Sequence, residues 1–236
     1  MHESILWETE GNRTRCNLCI RRCLIPEGKK GFCFTRENHN GIMYVPMYGE
    51  ISMSGVDPIE KKPFFHFYPG STSLSISTVG CTFRCVFCQN YDITQIPYNM
   101  KKKSPKNVVE EAHRLGCKSI SYTYNEPTVF FEYALDTAKE ALKKGLVNTF
   151  VTNGYLTSEA VDISSKYIQA MTIGIKGSLN KKLYSRLMLV PNPDSIKDTI
   201  LELKRKKVYI EITDLIIPEF GDKISDIKRF VKWIND

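Results

Sequence analysis

The chain has 236 residues, and 33 Lys and Arg against 26 Asp and Glu give a formal net charge of +7. Apolar residues make up 42% and include 12 Phe and 12 Tyr, so a core can be filled and a disordered chain is excluded. No run of roughly 18 uncharged apolar residues is present to span a bilayer, and Met1 to Arg15 lacks the apolar stretch of a secretory leader, so a cytoplasmic setting is expected.

Residues 1–68 read as an irregular extension, rich in scattered Gly and Pro and without a helical period. From Ser71 the pattern changes. Leu74 to Val79 alternates with period two and Gly80 stops it, as in a strand. Ser104 and Pro105 form a cap and a first-turn proline, followed by Val108, Ala112 and Leu115 at helical spacing. Lys101 to Lys103 is a charge run read as a solvated loop. Ser119 to Thr123 is the next strand. Pro127 opens a helix with Phe130, Tyr133, Ala134, Thr137 and Ala141 on one face. Strands at Val147–Thr152, Ala170–Ile175 and Val208–Ile212 follow. Helices separate them over Ser158–Lys166 and from Asn192-Pro193, and a last helix carries Ile224, Ile227, Val231 and Ile234. The βα alternation predicts an α/β fold with a parallel sheet and helical crossovers. The division expected is residues 1–68 as the Cys-rich extension and 69–236 as the core.

Eight cysteines are present, seven of them in two tight groups. In a reducing compartment, clustered thiols read as metal ligands rather than a disulfide framework. Cys81, Cys85 and Cys88 directly follow the first core strand, at the end where ligands bind in βα architectures. Three thiolates without a near fourth ligand make a poor structural zinc site. They suit a [4Fe–4S] cluster with one iron left open. Three buried cysteines, or a zinc ligated from elsewhere, is the competing reading.

The Cys81-x-x-x-Cys85-x-x-Cys88 spacing after a first strand resembles the radical S-adenosylmethionine (SAM) superfamily. Cys81 to Asn90 looks like the cluster loop of enzymes similar to the pyruvate formate-lyase activating enzyme. Val56 to Pro63, His66 to Gly70, Tyr122 to Thr128 and Thr152 to Tyr155 narrow the resemblance to the AmmeMemoRadiSam system radical SAM enzymes. The resemblance implies a partial (β/α) barrel and a cluster that cleaves SAM to methionine and a 5′-deoxyadenosyl radical, which takes hydrogen from a substrate. It further implies that the Phe87 backbone meets adenine and that Asn125 and Glu126 bind the SAM amino group. Thr152 and Asn153 would face the same mouth, and Lys176 would lie near the SAM carboxylate. The acidic positions that hold a monovalent cation in activating enzymes read Gly174 and Val151 here, so that cation site is not expected. A full barrel of the superfamily has six strands. Five are legible, so the core reads as shortened at its C-terminal end.

Cys16, Cys19, Cys23 and Cys33 form the second group. Four thiols so close can close a tetrahedral zinc site, which would staple the extension, or hold a second iron–sulfur cluster. Basic residues around them admit RNA as a partner, but aromatic interleaving is weak. Cys117 is expected as a small core residue, and His66 as a satisfied core histidine. The function expected is radical generation from SAM, acting on a protein or peptide and fed by an electron donor such as a flavodoxin or ferredoxin. A small-molecule substrate is one alternative. A non-enzymatic metal module binding RNA or a partner is another. Neither nucleic acid nor a membrane is expected as the partner of the enzyme.

Overall fold

The computed structural model describes residues 1–95 and 100–236. Eight strands fall in the first 58 residues: β1 (His2–Glu3), β2 (Trp7–Glu10), β3 (Arg13–Cys16), β4 (Leu24–Pro26), β5 (Glu37–His39), β6 (Ile42–Val45), β7 (Glu50–Ile51) and β8 (Met53–Pro58). The stretch read from sequence as irregular is thus built of short antiparallel pairings, β2-β3-β4 and β1-β6-β5. Strands of two to four residues carry too little alternation to show a period.

Six further strands and seven helices follow among the described residues. They are β9 (Thr72–Ser77), α1 (Tyr91–Thr94), β10 (Lys101–Lys102), α2 (Pro105–Arg114), β11 (Ser119–Tyr122), α3 (Phe131–Lys143), β12 (Val147–Thr152) and α4 (Ser158–Ser164). The chain continues through β13 (Ala170–Lys176), α5 (Lys181–Leu187), α6 (Ser195–Arg205), β14 (Tyr209–Leu215) and α7 (Ile224–Asn235). The main sheet has the order β14-β13-β12-β11-β9-β8. Its five core strands are parallel, and β8 joins β9 antiparallel with Asp57 opposite Ser73. The end strands β14 and β8 do not pair with each other among the described residues. Lys101 and Lys102, read as a loop, form β10 against β7 while staying exposed.

Helix starts follow their caps. The Ser104 hydroxyl accepts from Asn107 N ahead of α2, Thr157 accepts from Ala160 N ahead of α4, and Asn180 accepts from Leu183 N ahead of α5. Helix α5 was not legible in the sequence, because its seven residues span only two turns. The two faces of the sheet differ in chemistry. One packs Tyr122 and Phe150 toward α3, where Asn148 Nδ2 donates to Ala138 O. The other carries small polar side chains, with Ser73, Ser121 and Thr149 linked hydroxyl to hydroxyl at 2.6 and 2.7 Å.

Residues 59–67 lie against that polar face. Ile59, Phe64 and Ala170 are fully buried, with Val151 and Phe67 packed partly buried against them, and Thr172 Oγ1 donates to Pro63 O at 3.4 Å. The end of the predicted extension therefore belongs physically to the core. His66 differs from expectation. It is exposed, because Phe64 and Phe67 turn inward and leave Phe65, His66 and Tyr68 outside. Its backbone N–H donates to Glu211 Oε1 at 3.0 Å. Cys117 is buried, as expected. No helix among the described residues is long and apolar enough to cross a membrane.

Candidate active site

The loops that follow β9, β11, β12 and β13 leave the same edge of the sheet, because the strands are parallel and in register. The β9 loop carries Cys81, Cys85 and Cys88. It is fixed from several sides. Gly80 N donates to Thr94 O at 2.6 Å, Arg84 N to Met188 O and Val86 N to Leu187 O, both at 3.0 Å. Phe83 is buried between Tyr155 and Tyr184. Arg84 Nη1 donates to the Cys81 and Phe83 carbonyls, each at 2.9 Å.

Glu126 is buried at the start of the β11 loop, where it caps the 3-10 turn Pro127–Phe130. Its Oε1 accepts from Thr128 N, Thr128 Oγ1 and Thr152 Oγ1, at 3.2, 2.6 and 2.7 Å. Among the described residues its Oε2 accepts only from Asn153 N, at 2.8 Å, and so keeps acceptor capacity. Burial raises the Glu126 carboxyl above its ordinary value, against the pull of these donors. The capping role and the ligand role expected for Glu126 are thus compatible. Asn125 is committed otherwise: its amide donates to Thr78 Oγ1 at 3.2 Å and to Gly80 O at 3.0 Å, which positions the start of the cysteine loop. Asn153 Nδ2 donates to Thr82 Oγ1 at 2.8 Å and ties β12 to that loop. Phe87 is partly buried against the core.

Lys176 ends β13 with its ammonium donating to Gly174 O at 3.1 Å and Ile175 O at 3.4 Å. It forms no ion pair among the described residues. Burial lowers its pKa, and the Cys85 sulfur, next in weight, opposes that shift. Gly174 leaves the space that Lys176 Nζ occupies, since an added Cβ would lie 3.1 Å from that nitrogen. Val151 packs with Ile59 and Phe64, an apolar setting unlike a cation site.

All eight cysteines are free. Burial pushes the Cys85 thiol up to about 11 and the Cys81 thiol higher, so a metal must displace their protons. No three His, Cys, Asp or Glu side chains among the described residues stand as ligands to a single ion. A four-iron cluster takes each thiolate on its own iron, so its ligands need not converge on one point. Cys16, Cys19, Cys23 and Cys33 come together around a cavity of about 20 Å³ that also touches Thr82.

Sequence reasoning missed Thr82, Thr128 and Arg84. Thr82 and Arg84 sit inside the Cys81–Cys88 spacing, and Thr128 stands two residues after Glu126, the spacing of a side chain that bonds back to a turn.

Comparison with known proteins bears on the same residues. The family description "Radical SAM superfamily" matches residues 75–234. Uncharacterized protein MJ0808 of Methanocaldococcus jannaschii is 38% identical over 240 residues, covering 100% of this chain and 71% of that protein. From the same archaeon, "Putative glycyl-radical enzyme activating enzyme MJ1227" is 26% identical over 179 residues, covering 72% of this chain and 71% of its own. A crystal structure of a radical SAM methyltransferase from Sphaerobacter thermophilus shares the fold, with TM-score 0.53 and 16% identity. It aligns with 71% of this chain, which spans about half, 54%, of the methyltransferase. The chain belongs to the radical SAM superfamily, whose enzymes use a [4Fe–4S] cluster and S-adenosylmethionine.

Proposed function

We propose that Cys81, Cys85 and Cys88 ligate the [4Fe–4S] cluster and that the chain generates a radical from SAM to take hydrogen from a protein or peptide. The observation that carries this reading is the fastening of the cysteine loop to Glu126. Asn153 bonds both the Thr82 hydroxyl and the Glu126 carboxylate, which ties the loop to the carboxylate through one residue. When bound, the cluster supplies the electron that cleaves the SAM sulfonium to methionine and a 5′-deoxyadenosyl radical.

The chain's own residues bind and orient. The free acceptor position on Glu126 Oε2 suits an ammonium, as a charge-assisted bond in a buried place. Thr128, Thr152 and Asn153 hold that carboxylate in one orientation. Lys176, without a carboxylate of its own, suits the SAM carboxylate. The Phe87 backbone meets the adenine, while its side chain packs partly buried against the core. Asn125 acts one step back, by holding Thr78 and Gly80. The net charge of +7 suits an acidic one-electron donor of the flavodoxin or ferredoxin class.

The protein or peptide substrate rests on the resemblance to activating enzymes and on the similarity to MJ1227. The narrower assignment to the AmmeMemoRadiSam subgroup rests on the motifs quoted above.

Reconstituted protein is tested with dithionite and SAM. Wild type is expected to show cluster absorbance and to release 5′-deoxyadenosine, and Cys85→Ala to do neither. Glu126→Gln is expected to keep the cluster and weaken SAM binding at least tenfold. A Cys85→Ala protein that retains both cluster and product would remove the assignment. For the substrate, deuterium-labelled cell extract is split by ultrafiltration. Label reaching 5′-deoxyadenosine from the retained fraction supports a protein substrate, whereas label from the filtrate alone selects a small molecule.

A further inference from the structure

The second cysteine group is built as a site. Cys16 ends β3 and its N–H donates to Cys23 O at 2.9 Å, which closes the turn that carries Cys19. A second turn, with Gly31 N donating to Arg36 O and Phe34 N to Gly31 O, both at 2.9 Å, brings Cys33 to the same place. All four thiols line one small cavity with Arg21, Arg36, Ile25, Gly31 and Thr82 around it. They are free, and Cys16 and Cys19 are buried.

The surrounding charge is unusual for four neutral thiols. No carboxylate lines the cavity, but two guanidiniums do. Arg21 has no acidic partner among the described residues. Its Nε donates to Thr82 O at 2.7 Å, it also bonds Leu189 O, and it stacks 3.5 Å over Phe32. Arg36 is paired with Glu132, so the uncompensated cation beside the sulfurs is the half-buried Arg21, and a cation beside sulfur favours the thiolates that a metal centre takes. Sulfur-only donor sets select zinc or iron–sulfur centres.

The site also touches the Cys81–Cys88 loop. Thr82 is part of the cavity wall, and Cys33 O and Thr35 Cγ2 occupy the space beside Gly80 that a side chain would need. Arg84 reaches from the Cys81 carbonyl to the Phe32 carbonyl.

We infer that Cys16, Cys19, Cys23 and Cys33 bind a thiolate-ligated metal centre, separate from the cluster of Cys81, Cys85 and Cys88, that fastens the N-terminal segment to the back of that cluster's loop. This goes beyond the proposed function, and its test is arranged to be independent of it.

The full chain carrying Cys81→Ala, Cys85→Ala and Cys88→Ala is purified without oxygen and assayed for zinc, iron and acid-labile sulfide. One metal centre per chain is expected. Iron with matching sulfide identifies a cluster, which takes each thiolate on its own iron, and about one zinc identifies a single ion on which the four sulfurs draw closer together than they stand here. Adding Cys16→Ser and Cys19→Ser is expected to abolish it. A triad-free chain that binds no metal overturns the inference, as does metal that survives the added serines. Should the triad-free chain not fold, the unmodified chain decides: metal in excess of one four-iron cluster supports the site, and none in excess overturns it. Amide exchange reads the coupling. Release of the metal by chelator is expected to speed exchange at Arg84 and Val86 at least tenfold, and unchanged exchange overturns the fastening role.

Discussion

The pair Arg36–Glu132 is the buried ion pair in the contact between the N-terminal segment and α3, and its removal has a predictable size. Both side chains are almost fully buried, at 2% and 3% exposure, with Nη1 to Oε1 at 2.6 Å. Glu132 Oε1 also accepts from Ser4 Oγ at 3.0 Å and Ile5 N at 2.8 Å, and Arg36 Nη2 donates to Thr128 O at 3.3 Å. Burial opposes the Glu132 charge, but the Arg36 guanidinium outweighs it and holds the carboxyl below its ordinary value. Arg36→Met leaves that carboxylate buried without its cation, which costs about 3–5 kcal/mol. At about 2–4 °C per kcal/mol for a chain of this size, Tm should fall by roughly 6–20 °C. Glu132→Leu should lose a similar amount. The double variant should recover most of it, because Arg36 Nε and Glu132 Oε2 have no partner among the described residues and the pair is incompletely compensated. Thermal unfolding at matched metal loading measures all four corners of the cycle. A double variant whose loss equals the sum of the two singles would show that the ions are independently solvated and that this account of the contact is wrong.

Gly80→Ala should destabilise by about 2–4 kcal/mol, from a φ of +97° and from Cβ contacts of 2.5 Å to Cys33 O and 2.6 Å to Thr35 Cγ2. Urea unfolding checks this, and a neutral result would mean that the two cysteine segments are not in contact. Asn153→Ala should leave the overall fold intact but loosen Thr82 from Glu126, weakening SAM binding several-fold by calorimetry at unchanged iron content. Asp57 gives the pH dependence. Burial alone would raise it, but Lys61, Lys62 and the Tyr124 hydroxyl, at 2.7, 2.6 and 2.6 Å, hold its carboxyl well below the usual carboxylate range. Its stabilising contribution is therefore complete above the unfolded value of about 4 and is lost as pH falls through the lower folded value. Asp57→Asn should flatten the acid side of the Tm profile between about pH 5 and pH 2, and a profile parallel to wild type would show that other carboxylates set it.

Periodicity determined the parallel core. Leu74 to Val79, Ser119 to Thr123, Val147 to Thr152 and Ala170 to Ile175 announced their strands, because a strand buried on both faces and bounded by caps and glycines leaves a local signal. The cysteine spacing was equally legible, since a cluster on one loop needs its thiolates close in sequence. Tertiary structure decided what depends on contacts distant in sequence. The pairing of Asp57 with Ser73 that carries β8 into the main sheet, and the inward turn of Phe64 beside an exposed His66, join segments whose patterns are too short to be periodic. The same holds for Thr82, whose hydroxyl accepts from Asn153, 71 residues away, and whose backbone carbonyl accepts from Arg21, 61 residues away. Local sequence sets which backbone conformations are cheap. Which side of a short strand or loop is buried is set by the surface that arrives to cover it, and here that surface is β9 for β8, Val151 and Ala170 for Phe64, and Asn153 with Arg21 for Thr82.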